Sequence, residues 1–134
     1  MPRALILDDL IVWQLACEFE GRVLALVRRT PEASRDFRFA GQITDAASPV
    51  PSNVTEGFHR FKAGEFAQFL RYARASLAEV EKRLHTGVRK GYFRQADIAP
   101  LLQLARRLGK GLVNFHDYLL RQAEAKKARH RNRP

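Results

Sequence analysis

Three groups of polar residues have types and spacings that can do chemistry. The first is Glu56-Gly-Phe-His59, an E-x-x-H spacing, which is the helical unit that holds metal in di-iron carboxylate bundles. Such a site needs a second unit of this kind and two further carboxylates. Glu81 and His85 are four positions apart instead of three. We therefore expect no metal centre and no cofactor.

The second group is Asn53, Glu56 and Arg60, which are spaced three and four apart and so share one face of a helix. Glu56 and Arg60 can pair along that face. No nucleophile–base pair accompanies them, and no glycine-rich phosphate loop or paired cysteines occur in the chain. The group is therefore interpreted as a structural network, and the protein is expected not to be an enzyme.

The third group is basic. The formal net charge is +10, yet residues 1–88 contribute only +1, whereas residues 89–134 carry 12 lysines and arginines against 3 acidic residues. Charge concentrated in this way predicts a surface that binds a polyanion, and its alternative is a solvated helix face followed by a solubilising tail. The candidate nucleic-acid-binding residues are Arg89, Lys90, Arg94, Arg106, Arg107, Lys110, Arg121, Lys126, Lys127 and Arg129, followed by Arg131 and Arg133.

Length and composition limit the class of protein. A chain of 134 residues that is 46% hydrophobic fits one domain with a real core. Cys17 is the only cysteine, which excludes an internal disulfide and favours a reducing compartment. The N-terminus has no signal-peptide layout, and no stretch approaches the roughly 18 apolar residues of a membrane span. We expect a cytoplasmic protein with no membrane partner.

Four segments carry apolar residues at spacings of three and four, and none alternates like a half-buried strand. This pattern predicts one domain, residues 1–120, with helices at about 8–29, 37–61, 63–89 and 97–120. Short connections make neighbouring helices antiparallel, so the predicted fold is an all-α, up-down-up-down four-helix bundle. Residues 121–134 lack apolar anchors and predict a basic C-terminal tail in which a frayed helix gives way to disorder.

Local signals mark the ends of these helices. Asp8 or Asp9 is the expected N-cap of the first helix, and Thr30-Pro31 is its expected stop. Asp97 is the expected N-cap of the fourth helix. The stretch "RKGYF" (89–93) predicts a glycine turn between the third and fourth helices, with its two aromatic rings packed on the bundle.

The stretch "SPVPSNVTEGFHR" (48–60) allows two interpretations. Apolar residues keep helical spacing straight through Pro49 and Pro51, which favours one helix kinked at these prolines, although a proline inside a helix costs about 3 kcal/mol. Alternatively a new helix starts here, with Ser48 as its N-cap and Pro49 at its first position. The preserved phase favours the single kinked helix.

The first helix carries two apolar stripes. One contains Val12, Ala16, Phe19, Val23 and Leu26, and the other Leu10, Trp13, Cys17, Leu24 and Val27. A second stripe predicts a subunit interface in addition to the core. The alternative is one wide core face with a few exposed apolar residues.

The chain also resembles a known family. The stretches "LIVWQLA" (10–16), "GQITDAASPVPSNVTEGFHR" (41–60), "EFAQFLRYARASLAEVE" (65–81) and "KGYF" (90–93) follow, in this order, the pattern of the four-helix-bundle proteins named for intervening sequences in large-subunit ribosomal RNA genes. The resemblance covers roughly residues 8–120, and the accessory variability determinant of diversity-generating retroelements belongs to the same superfamily. Asn53, Glu56, Arg60, Ser76 and Glu79 match the polar positions of the pattern, and these five residues are predicted to form a structural polar network.

The resemblance implies a homopentamer with a basic surface, a second helix that continues through the prolines, and no known catalysis. It also implies nucleic-acid binding and association with a reverse transcriptase, if the chain serves a retroelement. Thr44-Asp45 stands where many relatives have a basic pair, and Ala75-Ser76 replaces the usual Gly-Ser.

The function expected from the residues and the resemblance together is non-enzymatic. An oligomeric helical bundle binds RNA or DNA through a basic C-terminal surface. The alternative is a homo-oligomeric scaffold or adaptor that binds a protein partner and has no nucleic-acid role.

Overall fold

The computed structural model describes residue 7 and residues 10–132. The described part of the chain is helical and contains no strand, which confirms the all-α prediction. Its helices are α1 Ile11–Arg29, α2 Pro31–Arg35, α3 Phe37–Ala47, α4 Pro49–Phe58, α5 Ala63–Arg89 and α6 Gln95–Arg131. Within the same residues, no helix has the length and apolar character that a membrane crossing requires.

Helix α1 begins at Ile11 and ends where the sequence predicts. Its proposed N-cap, Asp8 or Asp9, lies outside the described residues. At its C-terminus Thr30 is extended, the conformation that the following Pro31 imposes on it, and the Thr30 hydroxyl donates to the carbonyl of Leu26 at 2.7 Å. The short helix α2 then occupies a stretch that the apolar pattern left as a connection.

The two apolar stripes of α1 have different environments. The first stripe is buried throughout. The second stripe is only partly buried: Leu10 and Val27 are buried, whereas Trp13, Cys17 and Leu24 are half-buried. The indole Nε1 of Trp13 donates to the hydroxyl of Thr55 on α4 at 3.1 Å, so part of the second stripe is used within the chain. The interface role of this stripe stays a prediction.

Helices α3 and α4 form one bent helix, so the described chain has five helical segments. Ser48 is in the right-handed helical conformation, and its N–H donates to the carbonyl of Thr44 at 3.1 Å. Its side chain makes no capping hydrogen bond. Residues on both sides of the prolines stay in phase with the core, since Ile43, Ala47, Val50 and Val54 are fully buried. The single kinked helix is therefore confirmed.

Helix α4 ends at Phe58, three positions before the predicted end at Phe61. The amide of Arg60 donates to the carbonyl of Gly57, which tightens the last turn. The chain then reverses into α5. Phe61 keeps the helical spacing of the apolar residues that precede it, but its side chain is fully exposed.

The turn between α5 and α6 is the predicted glycine turn. Gly91 has a φ of 81°, in the left-handed region that favours glycine, and the amide of Tyr92 donates to the carbonyl of Gly87 at 2.9 Å. Phe93 is buried, and its ring centroid lies 5.8 Å from that of Phe39. The predicted packing of both aromatic residues is confirmed, because the Tyr92 ring also lies edge-on to Phe39.

Asp36, the N-cap of α3, ties this turn to the rest of the fold. Its carboxylate accepts the hydroxyl of Tyr92 at 2.6 Å and the amide of Phe39 at 3.1 Å. The hydrogen bond from Tyr92 is the main cause that holds the pKa of Asp36 below its ordinary value. The same bond raises the pKa of Tyr92. A lowered carboxyl pKa stabilises the fold above the ordinary carboxyl range, and this contribution is lost as the pH falls through the lowered pKa.

We expect Tyr92→Phe to raise the pKa of Asp36 towards its ordinary value, because it removes the largest cause of the shift. Acid unfolding of the variant should then begin at a higher pH. The pKa is measured by NMR titration of the carboxyl carbon, and unfolding by circular dichroism. Tyr118→Phe is the control, since the Tyr118 hydroxyl has no hydrogen bond among the described residues. An unchanged pKa of Asp36 in Tyr92→Phe would contradict this account.

Both ends of α6 differ from the prediction. Asp97 is the third residue of the helix and not its N-cap, which is Arg94. The Asp97 carboxylate accepts the backbone N–H of Arg94 at 2.8 Å, and this bond is the main cause that lowers the pKa of Asp97. At the other end α6 continues past Leu120 to Arg131, where a tail passing into disorder was expected. Its last turns are rich in Ala, Lys, Arg and Gln, which are strong helix formers.

The core lies between the long helices. Helix α5 packs against α4 and α6, and α1 packs against α6 and α4. The largest fully buried side chains come from all of these helices and from α3; they include Phe19, Ile43, Leu77, Leu84 and Leu108. The core uses the predicted stripes and leaves the charged face of α6 in solvent.

Candidate nucleic-acid-binding surface

The ten candidate nucleic-acid-binding residues are all exposed, but the structure divides them into three groups between the end of α5 and the end of α6. The turn group is Arg89, Lys90 and Arg94, the middle group is Arg106, Arg107 and Lys110, and the end group is Arg121, Lys126, Lys127 and Arg129. A helix rises about 1.5 Å per residue, so roughly 50 Å separates Arg94 from Arg129. The predicted basic surface is therefore a row of charges instead of one compact patch.

The turn group is engaged with neighbouring side chains. Lys90 Nζ lies 3.8 Å from a carboxylate oxygen of Asp36, and Arg94 lies 3.4 Å from Asp97. Arg89 donates to the hydroxyl of Thr86 at 3.0 Å. The two carboxylates offset part of the charge of Lys90 and Arg94, whereas the hydroxyl of Thr86 is neutral and leaves the charge of Arg89 uncompensated.

The middle group lies on two sides of α6. Arg107 and Lys110 are three positions apart and share the outer face of the helix with Asn114 and Arg121. Arg106 is close to Glu81 on α5. Burial raises the pKa of Glu81, and the nearby charge of Arg106 partly opposes that rise.

The end group extends beyond the last buried residue of α6, Leu119. Lys127 lies 3.8 Å from Glu124, in an exposed pair that contributes little. Arg121, Lys126 and Arg129 have no ion-pair partner among the residues that the structure describes. These three cations are thus available to an external anion, and so are Arg107 and Lys110 of the middle group, which are exposed and have no ion-pair partner in the described part of the chain either.

The end group borders an open cleft of about 650 Å³. The last turns of α6 form one side, with Lys126, Lys127 and Arg129, and the start of α5 with the preceding link forms the other. Phe61 and Lys62 belong to that link and were not among the predicted site residues. The signal that points to them is "HRFK" (59–62), an aromatic residue flanked by cations in a stretch between two helices.

The five residues predicted as a polar network make separate contacts. Asn53 donates to the carbonyl of Pro49 at 2.9 Å, and Arg60 pairs with Glu56 at 2.8 Å. The hydrogen bonds of the described residues do not join these five residues into one network. Ser76 has no side-chain partner among them, and Glu79 pairs with Arg83 at 2.9 Å. The predicted pairing of Glu56 with Arg60 is present, and Arg60 also lies 4.8 Å from the centroid of the Phe69 ring.

The E-x-x-H unit is used locally. Glu56 pairs with Arg60, and the Nδ1–H of His59 donates to the carbonyl of Thr55 at 2.8 Å. Among the described residues, no group of three or more His, Cys, Asp or Glu side chains could hold a metal ion.

A second surface feature lies between α1 and α6. It is an open, mainly apolar groove of about 550 Å³, lined by Leu10, Ile11, Leu15 and Phe115 among others, and also by Arg107 of the middle group. Ile11 is 60% exposed although it sits among apolar neighbours. Such an apolar surface on a small domain is typical of contacts between proteins.

Comparison with known proteins gives one family. The model of the family described as "23S rRNA-intervening sequence protein" matches residues 8–114. No curated protein matches the chain. The matched range covers α1 to α5, the turn group and the middle group, and it stops before the end group.

Proposed function

Because this chain belongs to the 23S rRNA-intervening sequence protein family, we propose that it is a non-enzymatic, oligomeric helical bundle that binds nucleic acid through α6. The observation that carries the proposal is the row of exposed cations along α6, which ends in three that have no ion-pair partner among the described residues. Cations that recur along the length of a helix can contact successive phosphates of a nucleic-acid backbone.

The family supports RNA as the nucleic acid, because its description refers to 23S rRNA. The end group lies beyond the matched range, so its role rests on charge and exposure alone. Contacts of lysine and arginine with phosphates depend little on base sequence and weaken steeply as salt is added. We therefore propose sequence-tolerant binding.

The proposed architecture is the up-down-up-down four-helix bundle, with the bent helix of residues 37–58 as its second member. Its support is the packing of α5 against both α4 and α6, with only short links, 59–62 and 90–94, between these helices. Short links between long packed helices favour antiparallel neighbours.

We also propose that the protein is a homopentamer, as the resemblance implies. The groove between α1 and α6 supports it, because a second copy that covered this groove would remove Ile11 and its apolar neighbours from water. A fivefold ring would repeat the end group five times, and multivalent contact would then raise the avidity for one long strand.

Ile11→Arg is expected to convert the oligomer into monomers, because it replaces an apolar contact with a second cation beside Arg107, and a second copy would then have to cover two like charges. The fold should persist, since the Ile11 side chain is more than half exposed in the single chain. Size-exclusion chromatography with light scattering measures the mass. Phe37→Arg is the matched control, because Phe37 is 85% exposed and lies outside the groove. An oligomer of unchanged mass in Ile11→Arg would contradict the proposed interface.

The test of nucleic-acid binding compares the full chain with a chain that ends at Leu120. The shorter chain loses no residue that is buried in the described part of the structure, because Leu119 is the last buried position of α6. Fluorescence anisotropy with labelled single-stranded RNA and DNA at low salt should show binding by the full chain and much weaker binding by the shorter one. Equal binding by both chains would assign the contact to the turn and middle groups.

The second candidate is a homo-oligomeric scaffold that binds a protein partner. The observation that favours it is Phe37, the first residue of α3, whose large apolar side chain is exposed. If the full chain binds neither RNA nor DNA at low salt, this candidate replaces the first.

A further inference from the structure

We propose that the cleft between the end of α6 and the start of α5 holds one unpaired base of a nucleic-acid strand, stacked on the ring of Phe61. The phosphates next to that base contact the end group. This inference rests on the proposed function and deepens it, because it adds a stacking residue and a preference for single strands.

Phe61 is the first support. It lies in the link 59–62, and its side chain is 103% exposed, so the ring contributes nothing to the core. The neighbouring Phe58 is half-buried against the core and packs edge-on to Phe66 at 6.4 Å. A phenyl ring that is open to water offers a face on which a base can stack, and such stacking tolerates any base because every base has a π-face.

The charge around the ring is the second support. Among the described residues, the cleft is lined by four lysines and arginines, Lys62, Lys126, Lys127 and Arg129, against one carboxylate, Glu65. Lys126 and Arg129 have no ion-pair partner in this part of the chain. An aromatic ring surrounded by uncompensated cations is the combination with which proteins hold single strands. An apolar peptide would leave these cations without partners.

The cleft also favours a single strand over a duplex. Its volume of about 650 Å³ lies within the range of roughly 300–1,000 Å³ that is typical of small-ligand sites, so one nucleotide fits. A base inside a duplex has both faces covered by its neighbours and cannot stack on a protein side chain unless it is first flipped out, at a cost of a few kcal/mol. Only the phosphates of a duplex would reach the end group.

The experiment compares Phe61→Leu and Phe61→Trp in the full chain, with a labelled single-stranded RNA and its duplex as probes. Leucine keeps an apolar side chain and removes the aromatic face, so it should weaken binding of the single strand about tenfold. Binding of the duplex should not change. Tryptophan should retain the affinity of the original chain, and binding of the single strand should quench the fluorescence of the introduced indole. The signal of Trp13 in the original chain is the baseline.

Phe37→Leu is the matched control, because it removes an equally open phenyl from a helix that does not border the cleft. It should bind the single strand as the original chain does. If Phe61→Leu also binds unchanged while the original chain binds, the stacking site is wrong and the proposed function stands. If Phe61→Leu alters only the mass of the oligomer, the ring is a contact between copies and the inference fails. If the original chain binds neither probe, the stacking site and the proposed function fail together.

Discussion

Replacing Arg121, Lys126, Lys127 and Arg129 together with glutamine is expected to reduce the affinity for single-stranded RNA by roughly two orders of magnitude at low salt. Each lysine or arginine that contacts a phosphate releases a counterion, so four lost contacts should make the slope of log affinity against log salt shallower by about 3. Glutamine has a helix propensity close to those of lysine and arginine, so α6 should keep its length. Fluorescence anisotropy over a salt series measures both quantities.

The matched control replaces Arg28, Arg35, Arg38 and Lys82 with glutamine. These four cations are exposed, have no ion-pair partner among the described residues, and lie outside the end group and its cleft. Both variants reduce the formal net charge from +10 to +6. If the two variants lose the same affinity and the same salt slope, binding depends on net charge alone, and the assignment to the end group is wrong.

Gly87→Ala is expected to destabilise the fold by about 1–3 kcal/mol, although alanine is the better helix former. A Cβ atom at this position would lie 2.4 Å and 2.5 Å from ring carbons of Phe93 and 3.0 Å from Phe39. Phe93 is buried and packed between Gly87 and Phe39, so its ring has no free space into which to move. The turn between α5 and α6 must therefore shift.

Gly21→Ala is the matched control for this prediction. Gly21 lies inside α1, and an added Cβ would meet nothing within 4 Å. The exchange should stabilise the fold by about 0.4–1 kcal/mol, because alanine has less freedom to lose on folding. Urea unfolding gives both values. A stabilising effect of Gly87→Ala would contradict the close packing of Phe93 against Gly87.

The helices could be predicted because their positions depend on a local pattern. Core-facing side chains recur every three or four residues, and this spacing persisted through Pro49 and Pro51, where the backbone does continue as a bent helix. The helix boundaries at Pro31 and Gly91 could also be predicted from local signals. Proline restricts the backbone of the residue before it, and glycine permits the left-handed conformation of the turn.

The misplaced ends have a different cause. Phe61 has the right spacing to continue α4, and no local signal in the sequence marks the end of this helix at Phe58. The lack of apolar anchors after Leu120 predicts a frayed helix that gives way to disorder, whereas the helix continues to Arg131 because of its residue propensities and its continuity with the turns before it. Asp97 has a side chain that is common at N-caps, but it is the third residue of α6, where its carboxylate accepts the backbone N–H of Arg94.

The site could be predicted only in part for a similar reason. Residue type alone placed the ten cations on the surface. The distance over which they are spread follows from the length of α6, which continues past its predicted end at residue 120 to Arg131. The cleft joins residues near position 61 to residues near position 126, and no periodic pattern links stretches so far apart in the chain. The stretch "HRFK" shows an aromatic residue between cations, but only the packing of α5 against α6 brings Phe61 and Lys62 next to the end group.

The most direct test of the central claim is the salt dependence of RNA binding by the unmodified chain. Anisotropy titrations with one labelled single strand, repeated at increasing salt, give the slope of log affinity against log salt. Contact of the end group with phosphates predicts a straight line with a slope of about −3 or steeper. A slope near zero, or no binding at the lowest salt, would contradict the claim that α6 binds nucleic acid.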